Sequence, residues 1–115
     1  MSFYVYIMAS GRNGTVYVGQ TDDLVRRAWQ HRTFAIPGFT SRYRCTRLVW
    51  FAEFPDRDSA LSRERQMKAW KRRWKLELIE SANPQWHDLY DTLVSFVPAR
   101  HQDALDASLR WQHGM

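Results

Sequence analysis

The sequence predicts a small α/β protein, with a three-stranded, mainly antiparallel sheet and helices packed around it. Residues 3–7 and 15–20 show the two-residue alternation of strands and flank a turn that contains glycine. Residues 48–54 are rich in strand-forming side chains. Residues 57–74 are dense in helix formers and contain neither glycine nor proline. Together these segments predict two paired strands, a third strand and at least two helices.

The first two strands are predicted to form a hairpin. Asn13-Gly14 in the connecting turn is a strong hairpin signal, because both residues tolerate positive φ. In the first strand the valine and isoleucine share one face, while Tyr6 lies on the other. Antiparallel pairing then brings Tyr6 and Tyr17 together on the face opposite the aliphatic side chains.

A helix is predicted directly after the hairpin. Thr21 or Asp22 can cap its first turn. Arg27 and His31 are four residues apart, so they lie on one face of this helix.

The third strand is predicted at residues 48–54, where the sequence is almost continuously apolar. This character is typical of a strand that is covered on both faces, so we expect it at the centre of the sheet.

A long helix is predicted from Arg57 to about Trp74, followed by a bend and a second helix that ends at Asn83-Pro84. Glu64 falls within the apolar side of the first of these helices. A carboxylate turned toward apolar surface is costly unless it is paired or binds a cation. Glu64 is therefore either a metal ligand or a partner of Arg27 or a nearby lysine.

Positive charge is concentrated in the middle of the chain. The net charge is +5, yet residues 26–75 alone carry fourteen Lys and Arg against four Asp and Glu. Such a block predicts a polyanionic partner, with solvation of helix faces as the alternative. The residues proposed to contact nucleic acid are Gly19, Arg26, Arg42, Arg44, Lys68, Lys71 and Arg72.

The segment from Thr33 to Thr46 is predicted to be an exposed loop, because Pro37-Gly38 interrupts regular structure. Its arginines can contact phosphates, and Phe39 and Tyr43 can stack on bases. Alternatively, these two aromatic side chains pin the loop to the core.

An ordered set of residues resembles the signature of the GIY-YIG nuclease superfamily, and in particular its small single-domain bacterial members. The sequence departs from the pattern at Tyr4, where the first motif has glycine. The resemblance extends from about Phe3 to about Asn83. The residues that carry it are Tyr4-Val5-Tyr6, Tyr17-Val18-Gly19, Leu24, Arg27, His31, Glu64 and Asn83.

This resemblance implies a metal-dependent endonuclease that acts on DNA, including branched or damaged structures. Because one acidic residue lies where a site would form, a single Mg²⁺ or Mn²⁺ is expected rather than a two-metal cluster. The low specificity of such a small domain suggests a protein partner that selects the target. The alternative function is a nucleic-acid-binding protein with the same fold and little or no nuclease activity.

The resemblance also assigns roles to individual residues. Glu64 holds the metal, and Arg27 contacts the scissile phosphate. Tyr17 orients or deprotonates the attacking water, with Tyr6 in support. His31 competes with Tyr17 as the general base, because its unperturbed pKa suits that task better. Asn83 orients a neighbouring group, with a purely structural role as the residue that caps the preceding helix as the alternative.

Length and composition predict one domain of 115 residues. We expect residues 1–83 to form the nuclease-like part and residues 84–115 a helical extension packed on it, including an amphipathic segment from Val97 to about Gln112. The single Cys45 and the lack of an apolar run near twenty residues predict a cytoplasmic protein without a membrane span. The sequence leaves the oligomeric state open.

Overall fold

The structure, a computed structural model, describes residues 2–95. The predicted fold class is confirmed: an antiparallel three-stranded sheet is flanked by helices. The elements in chain order are β1 (Phe3–Ala9), β2 (Val16–Thr21), α1 (Leu24–Arg32), α2 (Phe39–Arg42), β3 (Arg47–Phe54), α3 (Arg57–Ala69), α4 (Arg72–Ala82) and α5 (Tyr90–Val94).

The order of the sheet is β2-β1-β3, so β1 is the central strand. The prediction of β3 as the central strand is wrong. Both strands have apolar runs, but β1 is paired on both sides, and its last five residues are all buried. The hairpin between β1 and β2 forms as predicted, with Asn13 in the left-handed region at φ 59°.

Helices cover both faces of the sheet. Val5 and Ile7 point to the face covered by α3 and α4, where Met67 and Ile79 pack against them. Tyr6 and Met8 point to the opposite face, which α1 and α5 cover. Tyr6 is therefore a buried core residue.

Two predicted helix boundaries were wrong. The side chain that caps α1 belongs to Asp23, whose carboxylate accepts a hydrogen bond from the backbone of Arg26, and not to Thr21 or Asp22. The predicted helix from Arg57 to about Trp74 ends at Ala69, because Trp70 adopts an extended conformation with ψ 149°. A separate helix, α4, begins two residues later, and Trp74 on it is 45% exposed.

Residues 83–90 cover the outer edge of β3. The backbone N–H of Leu89 donates to the carbonyl of Leu48 at 2.7 Å, and the N–H of Leu48 donates to the Asp88 carboxylate at 3.2 Å. This segment satisfies backbone groups that an edge strand would otherwise leave open. It also carries Trp86, which is fully buried, toward the core.

Asn83 fixes the start of this covering segment. Its side-chain amide donates to the carbonyls of Val49 and His87, at 3.1 and 2.8 Å, and its carbonyl accepts from the N–H of His87 at 3.0 Å. Asn83 is buried and is also the residue that caps the C-terminal end of α4, so its side chain has a structural role.

The extension is described only in part. Residues 84–95 pack against the body through Trp86 and Tyr90, whereas the predicted amphipathic segment from Val97 to about Gln112 lies outside the described residues. Within residues 2–95, no helix has the length and apolar character needed to cross a membrane.

We predict that Asn83→Ala lowers the free energy of unfolding by about 1–3 kcal/mol, because it leaves the buried carbonyl of Val49 and the partly buried backbone groups of His87 without partners. Urea unfolding measures this, with the exposed Gln85→Ala as the control that should change little. An Asn83→Ala protein of parental stability that has lost nucleic-acid cleavage would instead return Asn83 to the functional site.

Candidate active site

A row of three buried, hydrogen-bonded side chains forms the floor of the candidate site. The Tyr6 hydroxyl and His31 Nε2 are 2.8 Å apart, and His31 Nδ1 and Thr40 Oγ1 are 2.9 Å apart. The three residues come from β1, α1 and α2 and are 1%, 2% and 3% exposed. Since a neutral imidazole has one donor and one acceptor nitrogen, one hydroxyl donates to the ring and the other accepts from it.

Gly19 makes room for this row. It lies opposite Tyr6 in the register of β1 and β2. A Cβ atom at position 19 would lie 2.4 Å from the Cζ and hydroxyl oxygen of Tyr6. The absence of a side chain therefore lets the tyrosine ring cross the backbone of β2 on its way to His31.

Burial keeps the floor uncharged at neutral pH. Burial, together with the smaller effect of the positive charge of Arg27, lowers the pKa of His31 to about 4. Burial also raises the pKa of Tyr6 well above its ordinary value, and the neighbouring Tyr17 adds to this effect, while Arg27 opposes it. His31 is thus a neutral imidazole and Tyr6 a neutral phenol at neutral pH.

Tyr17 lies above this floor, toward solvent. Its ring centroid is 6.4 Å from that of Tyr6 and 5.6 Å from that of His31. The side chain is partly buried, and its hydroxyl makes no hydrogen bond to any residue in the described part of the chain. Of the two predicted tyrosines, Tyr17 is therefore the one whose hydroxyl is available to a ligand.

Glu64 and Lys68 border the site on the side of α3. They form an ion pair at 3.4 Å, with side chains 17% and 48% exposed. The Lys68 nitrogen lies 5.5 Å from the centroid of the Tyr17 ring. Glu64 was predicted to pair with Arg27 or with a nearby lysine, and its partner is Lys68, one helical turn away.

Glu64 is compatible with a sparsely ligated hard cation. No group of three or more His, Cys, Asp or Glu side chains within residues 2–95 is arranged to bind a metal. The carboxylate contacts Lys68 through Oε2 and makes no hydrogen bond through Oε1 within the same residues. One partly exposed carboxylate suits Mg²⁺, which is often held by one or two carboxylates together with waters and substrate phosphates.

Arg27 borders the site on α1. It is partly buried, and its charge acts on both Tyr6 and His31. An open pocket of about 470 Å³ lies beside it at the start of α1. Thr21, Asp22, Asp23, Arg26, Arg27 and Gln30 line this pocket. Two adjacent arginines and two adjacent aspartates thus line a space large enough for a phosphate group.

The other residues proposed to bind nucleic acid fall into different settings. Arg42 is exposed at the end of α2, Arg44 is exposed shortly after it, and Lys71 is exposed at the start of α4. Arg72 is engaged within the fold, since one guanidinium nitrogen donates to the carbonyls of Asn13 and Gly14 at 2.9 and 2.7 Å. It holds the hairpin turn against α4.

The predicted catalytic set is only partly brought together. Tyr6, Tyr17 and His31 are in mutual ring contact, and the charges of Arg27 and Glu64 both act on Tyr6. Asn83 hydrogen-bonds only to Val49 and His87 within residues 2–95, so no contact joins it to this cluster.

Sequence analysis missed Thr40, the partner of His31 Nδ1. It stands nine residues beyond His31, across an irregular loop, and no spacing rule connects the two positions. A buried threonine between Phe39 and Ser41 carries no motif that would have singled it out.

Comparison with known proteins identifies this arrangement. Residues 2–77 match the family described as the GIY-YIG catalytic domain. The match contains both tyrosines, the arginine, the histidine and the glutamate of the cluster. The chain therefore belongs to the GIY-YIG family, a nuclease-type class.

Within this class, the relatives are small proteins like this one. A UPF0213 protein of Haloquadratum walsbyi is 35% identical over 77 residues, which are 67% of this chain and 85% of that protein. A UPF0213 protein of Staphylococcus saprophyticus is 32% identical over 76 residues, covering 66% of this chain and 92% of that one. The solution NMR structure of a UPF0213 protein from Bacillus halodurans is 28% identical, with a TM-score of 0.46 over 76% of this chain and 93% of that chain.

We predict that Gly19→Ala destabilises the protein by about 1–3 kcal/mol, because the buried and hydrogen-bonded Tyr6 ring cannot move aside cheaply. Gly11→Ala is the matched control, since a Cβ there meets no atom within 4 Å. Chemical unfolding of both variants measures the difference. Equal stability of the two would show that the approach of Tyr6 to Gly19 is not a constraint.

Proposed function

We propose that this protein is a divalent-metal-dependent endonuclease that hydrolyses phosphodiester bonds in DNA. The observation that supports this most is the position of Tyr17. Its ring packs against the neutral, buried Tyr6 and His31 and lies near Lys68 of the Glu64–Lys68 pair, and its hydroxyl makes no hydrogen bond within residues 2–95. Hydrolysis of a phosphodiester needs a positioned water, charge neutralisation and a stabilised leaving oxygen, and these side chains can divide that work.

Tyr17 is favoured over His31 as the group that meets the attacking water. Both ring nitrogens of His31 are engaged, with the hydroxyls of Tyr6 and Thr40, and the ring is 2% exposed. A water could not reach either nitrogen without breaking one of these bonds. In this proposal His31 fixes Tyr6, and Tyr6 and His31 together support the ring of Tyr17.

Arg27 and Glu64 act on the phosphate from two sides. A guanidinium can bond two phosphate oxygens at once, and Arg26 adds positive charge in the same pocket. Glu64 would hold a single Mg²⁺ or Mn²⁺, which when bound supplies Lewis-acid polarisation and stabilises the leaving oxygen. Lys68 would then have to release the carboxylate, and its partly exposed side chain leaves it free to do so.

The wider surface supports a nucleic-acid substrate. The central basic block places Arg42, Arg44 and Lys71 in exposed positions. We propose that these three residues contact the DNA backbone. The proposed substrate is branched or damaged DNA, which is cut during repair in the cytoplasm. A protein partner is proposed to select the target.

A nucleic-acid-binding protein with little or no nuclease activity is the second candidate. The observation that favours it is the ion pair between Glu64 and Lys68, since it occupies the one carboxylate that the metal would need.

We predict that Glu64→Gln reduces DNA cleavage in Mg²⁺ by roughly a hundredfold or more while leaving DNA affinity almost unchanged, because a metal ligand is lost and no phosphate contact is removed. Single-turnover cleavage and anisotropy titrations measure the two effects. Glu77→Gln is the matched control, because Glu77 also forms an i,i+4 ion pair, with Arg73 on α4.

Cleavage by Glu64→Gln at the parental rate would show that the metal assignment is wrong. A parent protein that binds DNA but does not cut it in either Mg²⁺ or Mn²⁺ would favour the second candidate.

A further inference from the structure

Exposed aromatic side chains are concentrated beside the candidate active site. Within residues 2–95, four large apolar side chains are markedly exposed. Phe34, Phe39 and Tyr43 lie in the segment between α1 and β3, which includes α2, and are 44%, 46% and 45% exposed, while Trp74 lies on α4. Three of the four thus fall within ten residues of chain, next to the buried Thr40 that contacts His31.

Two of these rings continue the row of aromatic side chains outward from the site. The centroids of Tyr17 and Phe39 are 6.0 Å apart, and those of Phe39 and Tyr43 are 4.6 Å apart. Phe39 begins the single turn of α2 and Tyr43, four residues later, caps its end, so the two lie on one side of it. The row leads from the hydroxyl-bearing Tyr17 to the protein surface.

The loop does not need these rings in order to be held in place. Thr40 is buried and bonded to His31, and the N–H of the fully buried Cys45 donates to the carbonyl of Thr40 at 2.8 Å. These contacts anchor the loop, while Phe39 and Tyr43 remain almost half exposed. Pinning of the loop to the core therefore does not account for their exposure.

Arginine side chains accompany the exposed rings. The Arg42 guanidinium lies 5.6 Å from the centroid of the Tyr43 ring, and the Arg44 guanidinium lies 5.9 Å from that of Phe34. No ion pair engages either arginine within residues 2–95. Aromatic faces flanked by free guanidinium groups are complementary to nucleic-acid bases that remain joined to charged phosphates.

We infer that Phe39 and Tyr43, with Arg42, form a stacking surface for an unpaired base next to the phosphate bound at the active site. This inference rests on the proposed function and narrows its substrate class to nucleic acid with unpaired bases, such as single strands, flaps and junctions. In a continuous duplex each base is already stacked and paired, and extruding one costs a few kcal/mol. The surface therefore discriminates against intact duplex without reading sequence.

The test measures binding without divalent metal, so that it does not depend on catalysis. A labelled single strand and a blunt duplex of the same length are titrated in EDTA at physiological salt. The double variant Phe39→Leu/Tyr43→Leu should lose roughly tenfold or more in affinity for the single strand and little for the duplex, because stacking is lost and phosphate contacts remain. Tyr43→Phe, which keeps the ring, should retain the parental preference.

Trp74→Leu is the matched control, since it removes an equally exposed aromatic ring from α4. It should change neither affinity. Thermal unfolding checks that the variants are folded. We expect them to be, because the leucines replace side chains at exposed positions. Equal losses on both substrates, no loss on the single strand, or an equal loss in Trp74→Leu would each overturn the inference.

This inference and the proposed function fail in different ways. If the parent protein prefers single strands because of Phe39 and Tyr43 but never cleaves DNA, the stacking surface is supported. The proposed nuclease function is then refuted. If the parent protein cleaves in Mg²⁺ and the double variant has the same ratio of single-strand to duplex cleavage as the parent, the proposed nuclease function stands. The stacking surface is then refuted.

Discussion

The hydrogen bond between Tyr6 and His31 is the constraint on which the rest of this structure depends. It joins the central strand to α1 in a region where neither group reaches solvent, so the loss of either partner would leave a buried polar group unsatisfied, at a cost of about 1–3 kcal/mol. Gly19 supplies the space for it, and Thr40 satisfies the second ring nitrogen. The strand pair, the helix and the following loop are thereby fixed relative to one another.

This floor separates structural from chemical roles in the candidate site. The low pKa of His31 and the high pKa of Tyr6 keep both groups neutral, which suits a buried support better than a proton acceptor. The charged residues Arg27, Glu64 and Lys68 lie at the rim, where water lowers the cost of their charge. Tyr17 lies between the two layers and contacts both, through His31 below and Lys68 at the rim.

Much of this could be predicted from the sequence where the signal is local. Alternation in residues 3–7 and 15–20 placed the tyrosines on one face, and four-residue spacing placed Arg27 beside His31. Features set by long-range packing could not be predicted. The central position of β1, the break of the helix at Trp70 and the partnership of His31 with Thr40 depend on contacts between distant segments. Asn83 was assigned from the family pattern, but its hydrogen bonds close the edge of β3.

The central claim is that the Tyr17 hydroxyl, which makes no hydrogen bond within residues 2–95, acts on the substrate while its ring only packs. Single-turnover cleavage of branched DNA by Tyr17→Phe tests it most directly, because phenylalanine keeps the ring contacts with Tyr6, His31 and Phe39. We expect a loss of roughly a hundredfold or more in cleavage rate, with DNA affinity and melting temperature unchanged. A folded Tyr17→Phe protein that cleaves at the parental rate would contradict the account.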